Sequence, residues 1–135
     1  METDITLRNA LKSDTRFIYN LRFSDDCIKV STTSNKPTYN QHCIYFNEHI
    51  DEYKVIMVNG KMSIGYIRTN KDNEISIALI KEYRNKGIGS LVLKKINGTA
   101  TIKKDNLQSI NAFEKAGFKL KYYIYEKSKT KNRKI

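Results

Sequence analysis

Arg84-Asn85-Lys86-Gly87-Ile88-Gly89 places two cations and two glycines between an apolar strand, Ile75–Ile80, and an amphipathic helix. That combination suits a pyrophosphate. Glycine lets the backbone approach the phosphates, N–H groups at a helix start lack intrahelical acceptors, and the helix dipole favours negative charge there. Spacing narrows the ligand. A Walker loop needs G-x-x-x-x-G-K-[ST] and a dinucleotide fingerprint needs G-x-G-x-x-G; the chain has neither. A second stretch, Asn106–Phe118, predicts a helix capped by Asp105 with Gln108 as reciprocal partner. Ile110, Phe113 and Ala116 would share its buried face, and Gly117 would end it in a left-handed conformation.

Together the two stretches carry a resemblance. R-x-x-G-x-G after a strand, followed by N-x-x-[SA]-I-x-x-[YF]-E-K-x-G-F, resembles the GNAT N-acetyltransferase superfamily, over essentially the whole chain. The resemblance implies an α+β fold, a mostly antiparallel central sheet flanked by helices and splayed where acetyl-CoA binds. It implies transfer of acetyl from acetyl-CoA to a primary amine, without a metal. Ile77 and Leu79 would offer backbone groups to the pantetheine arm. Arg84, Asn85, Lys86, Gly87, Ile88 and Gly89 would surround the pyrophosphate, and Ser90 would add a hydroxyl. Asn106 matches an asparagine near the pantetheine arm, and a helix-entry role explains it equally well.

The acid and base are less plainly written. An ammonium is no nucleophile, so a base or water chain must take its proton, and the leaving thiolate gains one. Many family members carry a tyrosine at the position of Phe113, and phenylalanine cannot donate. Tyr122, Tyr123, Tyr125 or water would replace it, or the thiolate would leave unassisted; Tyr123 is the representative candidate. Thr99–Lys103 has no carboxylate. Glu74, which also reads as an exposed strand-end charge, and His42, which also reads as a packing residue, are the candidate bases.

The acceptor side resembles a subgroup acting on nucleotide-linked amino sugars of the pseudaminic-acid type. The matching residues are Leu21-Arg22-Phe23, a Ser/Thr-rich stretch, and Gln41–Phe46, with Tyr45 where tryptophan is usual. Arg22 would pair with a diphosphate; Ser31, Thr32 and Ser34 would bond sugar hydroxyls; His42 would meet the sugar or amine. Acetylation of protein N-termini or small amines is the alternative within the class. An acyl-CoA-binding module without catalysis is the alternative outside it.

These residues need a scaffold, and 135 residues suffice for one domain with a real core. We expect a domain over 1–127 and a basic, disordered tail over 128–135. The net charge of +11 invites a nucleic-acid reading, but much of the excess lies in the tail, and no aromatic–glycine RNA signature accompanies it. The field would attract coenzyme A and an anionic acceptor. No apolar run is long enough for a bilayer, so a cytoplasmic protein without membrane contact is expected; homodimerisation stays open. Cys27 and Cys43 read as small hydrophobes, not a disulfide or zinc site.

Along the chain, Asp4–Arg8 predicts a strand, and a helix capped by Ser13 or Asp14 runs to Phe23. Asp25–Lys36 reads as a loop. Thr38 and Gln41 form a capping box opening the next helix. Asn59-Gly60 joins strands Tyr53–Val58 and Lys61–Thr69 as a hairpin, with Gly65 marking a bulge or close approach. After the Glu74–Ile80 strand, the loop helix turns Ile88, Leu91, Val92 and Ile96 inward. Further strands are expected at Thr99–Lys103 and Lys119–Glu126.

Overall fold

The computed structural model describes residues 4–32 and 35–127. Four antiparallel strands form one sheet in sequence order: β1 (Ile5–Asn9), β2 (Tyr53–Val58), β3 (Met62–Thr69) and β4 (Ile75–Leu79). Alternation sends successive side chains to opposite faces. Ile56, Val58, Ile64, Ile67 and Ile75 pack on one face beneath α4 (Ile88–Leu93) and α5 (Leu107–Lys115). Tyr53, Val55, Met57 and Tyr66 pack on the other beneath α1 (Thr15–Arg22) and α3 (Tyr39–His49). The α+β fold is therefore three-layered, with helices on both faces of the sheet.

Local signals explain the elements. Thr38 and Gln41 form the expected capping box on α3, with Thr38 Oγ1 accepting from Gln41 N at 3.2 Å. Asn59 (φ 52°) and Gly60 (φ 66°) make the β2–β3 turn. Ile56 pairs with Gly65 but Met57 with Ser63, so Ile64 is an extra residue and bulges β3. Gly65 also meets its neighbour closely: a Cβ there would lie 2.2 Å from the Ala78 carbonyl oxygen.

Several expectations need correction. Asp25–Lys36 is not all loop, because Asp25–Val30 forms a short helix, α2, capped by Ser24. Asp14 does not cap α1 through its side chain; its carboxylate accepts from Arg8 at 2.7 and 2.8 Å and from Leu11 N at 2.8 Å. This fork holds the Asp14 carboxyl below its usual pKa and anchors β1 to the start of α1. Leu91 faces solvent and Leu93 takes its inward place on α4. Thr99–Lys103 is no strand: it makes one parallel bridge, Glu74 to Thr99, and then leaves β4. Lys119–Glu126 is not a strand either, and Leu120, Tyr122, Tyr123, Ile124 and Tyr125 are exposed. The basic 128–135 stretch lies outside the described residues.

Candidate active site

β4 is the edge of the sheet, and its far side is open. Glu74 O and Ile80 N bond toward β3, to Asn70 N and Ile64 O, whereas Ile75 N bonds away from it, to Thr99 O at 2.7 Å. Backbone groups in a strand alternate in direction. Ile77 and Leu79 therefore turn their N–H and C=O groups to the open side. Segment 99–103 runs parallel to β4 from the Thr99 bridge and pairs no further, so the two diverge as a wedge.

The loop after β4 lies at the wide end of that wedge, away from the Thr99 bridge. A 3₁₀ turn, Lys81–Tyr83, leads to Arg84. Asn85 (φ 61°) and Gly87 (φ 79°) are both left-handed and start α4. Leu91 N is the first amide to bond back, to Gly87 O, so the N–H groups of Ile88, Gly89 and Ser90 have no acceptor within their own helix. A Cβ on Gly87 would meet nothing within 4 Å, so the space before these amides is open. Lys86 is exposed, its ammonium 5.7 Å from the Tyr83 ring centroid.

Side chains brace the loop from three sides. Arg84 Nε donates to Leu79 O at 2.9 Å and its Nη1 to Asp26 Oδ2 at 3.2 Å. Gln108 Nε2 donates to Asn85 Oδ1 at 3.3 Å, instead of completing a box with Asp105. Asn106, not Asp105, caps α5, its Oδ1 accepting from Ser109 N at 3.2 Å. The Ser90 hydroxyl is buried and donates to Ala112 O at 3.1 Å, which ties α4 to α5 and turns it away from any phosphate.

Ile77, Leu79 and Arg84–Ser90 thus meet at one end of the wedge, with Asn106 at the head of the adjoining α5. Other expected residues lie elsewhere. Glu74 sits at the start of β4, five residues and roughly 17 Å of strand from Leu79. Its carboxylate is exposed and accepts from Asn70 Nδ2 at 3.2 Å. Tyr123 stands in the exposed stretch beyond α5, 6.4 Å from the Tyr125 ring centroid. Phe113 is buried against Phe118, with ring centroids 5.0 Å apart. Arg22 ends α1 with its guanidinium 4.9 Å from the Phe23 ring centroid. Thr32 is exposed just after α2, and Ser34 falls outside the described residues.

His42 is a core residue of the α1–α3 layer. It is 4 % exposed, stacks on Phe46 at 5.6 Å, and contacts Tyr19 and Phe23. Its Nε2 is buried without a hydrogen-bond partner. Burial lowers its pKa below the ordinary 6.5, more than the Thr15 carbonyl raises it. The folded state then binds fewer protons than the unfolded chain below pH 6.5. Stability is full above that value and falls as pH drops toward the lowered pKa. Thermal melts from pH 7 to 5 should show a falling Tm for the wild type, and a shallower fall for His42→Gln; parallel curves would contradict it.

Residues 15–118 match the sequence model of the acetyltransferase (GNAT) family. The chain belongs to the GNAT acetyltransferase family. Solved structures share the fold. A spermidine N-acetyltransferase from Vibrio cholerae, in complex with CoA and spermine, is 19% identical with a TM-score of 0.77, covering 91% of this chain and 85% of the other. AAC(6')-Ib in complex with ribostamycin and coenzyme A is 18% identical with a TM-score of 0.70, covering 86% and 83%. A GNAT phosphinothricin acetyltransferase from Sinorhizobium meliloti, in complex with AcCoA, is 24% identical with a TM-score of 0.68, covering 87% and 76%.

This GNAT protein is an acetyl-CoA-dependent N-acetyltransferase. Its residues fit such a co-substrate: β4 has an outward backbone edge, and the first amides of α4, without acceptors in their own helix, follow the exposed Lys86. Among the described residues, no group of histidine, cysteine and carboxylate side chains could hold a metal ion. No described helix is long and apolar enough to cross a membrane. The pseudaminic-acid-type subgroup gains no support from these matches, so the amine acceptor is a separate question. The sequence reading missed α2 and its contact with Arg84; the run Ser24-Asp25-Asp26, a cap followed by first-turn acids, was the available signal.

Proposed function

We propose that the acceptor is a small primary amine on an anionic carrier, with a nucleotide-linked amino sugar as the leading candidate. The supporting observation is charge. Lys and Arg number 25 against 14 acids, and setting aside the four cations of 128–135 leaves a basic excess. Such a field draws in phosphorylated acceptors and disfavours polycations such as the spermine named for the Vibrio cholerae enzyme. Arg22 lies on the α1–α3 face close enough to Tyr53 and Tyr66 to oppose the rise in their pKa values, with burial the dominant cause of that rise. A guanidinium there suits a diphosphate, and Thr32 is exposed just after α2.

Acetyl-CoA supplies an activated acyl carbon and a thiolate leaving group, which the amine nitrogen displaces to form an amide. The loop amides and Lys86 bind the pyrophosphate, and the outward groups of Ile77 and the Leu79 N–H orient the arm, the Leu79 carbonyl being held by Arg84. Phe113 presents no hydroxyl. Glu74 and Tyr123 stand away from the loop and His42 is enclosed by aromatic rings, so this reading gives both proton transfers to water in the wedge.

A coenzyme A release assay with a nucleotide-linked 4-amino sugar, spermine, ribostamycin and an N-terminal peptide tests the acceptor. The sugar nucleotide should show kcat/KM at least tenfold above spermine. Preferred turnover of spermine or of the peptide would overturn the reading in favour of a cationic or protein N-terminal acceptor.

A further inference from the structure

We propose that Asp26 is a positioning residue: through Arg84 it straps α2 across the open end of the wedge and shields the thioester from bulk water. The proposal rests on the acetyl-CoA site described above. α2 touches both arms of the wedge. On the β4 side, Arg84 reaches Asp26 Oδ2 at 3.2 Å and Cys27 Sγ at 4.0 Å. On the other side, Lys103 Nζ donates to Lys29 O at 3.4 Å. Because segment 99–103 runs parallel to β4 from the Glu74–Thr99 bridge, Lys103 lies level with the end of β4. A six-residue helix held at both ends by the two diverging arms covers the gap between them.

Arg84 is also the residue that binds the cofactor loop to β4, through the outward Leu79 carbonyl. One guanidinium therefore joins the pantetheine edge, the pyrophosphate loop and the covering helix. Asp26 is 60 % exposed, and Arg84 is mostly buried. The carboxylate side of the contact is the weaker hold, and removing it frees α2 while leaving Arg84 on Leu79. Cys27, half-buried within α2 and packed against the α1–α3 core, reports whether the helix has lifted.

The test uses a Cys43→Ser background, in which Cys27 is the sole thiol, and compares it with added Asp26→Asn or Asp26→Glu. Two rates are read. One is labelling of Cys27 by N-ethylmaleimide. The other is amine-free hydrolysis of acetyl-CoA, in which water adds to the thioester carbon, the carbon–sulfur bond breaks, and acetate and coenzyme A thiol leave. Asp26→Asn should raise both at least threefold, and Asp26→Glu should return both toward the parent. Unchanged rates overturn the proposal. Faster labelling with unchanged hydrolysis also overturns it, because a lifted strap that admits no water was not a shield. A parent chain that fails to bind acetyl-CoA by calorimetry would instead overturn the cofactor assignment beneath it.

Discussion

Gly65→Ala is expected to lower the stability of this protein by about 3 kcal/mol, roughly 10 °C in Tm, although it adds a single methyl group. The reason is where that methyl would go. An ideal Cβ on Gly65 lies 2.2 Å from the Ala78 carbonyl oxygen, 2.9 Å from Leu79 Cδ2 and 3.1 Å from Leu79 Cα. Two of these atoms are backbone of β4, so relief requires the whole strand to move. Gly65 pairs with Leu79 and follows the Ile64 bulge, which brings β3 toward β4 at this point. The same displacement shifts the outward edge of Ile77 and Leu79, so acetyl-CoA affinity should fall with stability. Gly87→Ala provides the contrast. Its Cβ meets nothing within 4 Å, and only the left-handed backbone (φ 79°) opposes it, at about 1–2 kcal/mol. Thermal melts of the two variants side by side should separate them clearly; equal Tm values would refute the close-approach argument.

Arg84→Ala/Lys86→Ala should weaken acetyl-CoA binding at least tenfold. Lys86 is an exposed cation beside the free amides of α4, and its loss removes one charge-assisted contact. Arg84 acts differently. Its Nε and Nη1 are engaged by Leu79 O and Asp26, so its loss releases the loop from β4 and from α2 besides removing charge. A combined effect of about 1.4 kcal/mol already gives tenfold. Asn85 and Ser90 still hold the loop to α5, so the variant should keep a folded core.

Much of this site is legible in the sequence because glycine and charge requirements are local. Gly87 and Gly89 announce a helix start, and the Thr38–Gln41 box and the Asn59-Gly60 turn involve residues only one to three positions apart. What was not legible depends on distant partners. The alternation of Leu120, Tyr122 and Ile124 suits a strand, yet a strand needs a neighbour, and among the described residues that stretch has none. Thr99–Lys103 has β-forming residues, but the wedge keeps it off β4 after one bridge. Asp105 and Asn106 are both good caps, and only the geometry of the loop chooses Asn106 and sends Gln108 to Asn85. α2 was hidden by composition, since six residues rich in aspartate look like solvated loop until Arg84 and Lys103 are seen to hold them. His42 shows the converse: its chemistry suggested catalysis, but its position one turn before Phe46 on an inward face places it in the core.

A calorimetric titration of acetyl-CoA into the wild-type chain and into Arg84→Ala/Lys86→Ala tests the account most directly, with thermal melts confirming that both are folded. The account predicts saturable one-to-one binding to the wild type and a dissociation constant at least ten times larger for the variant. Equal affinity in the two folded proteins would contradict the assignment of residues 84–90 as the pyrophosphate cradle.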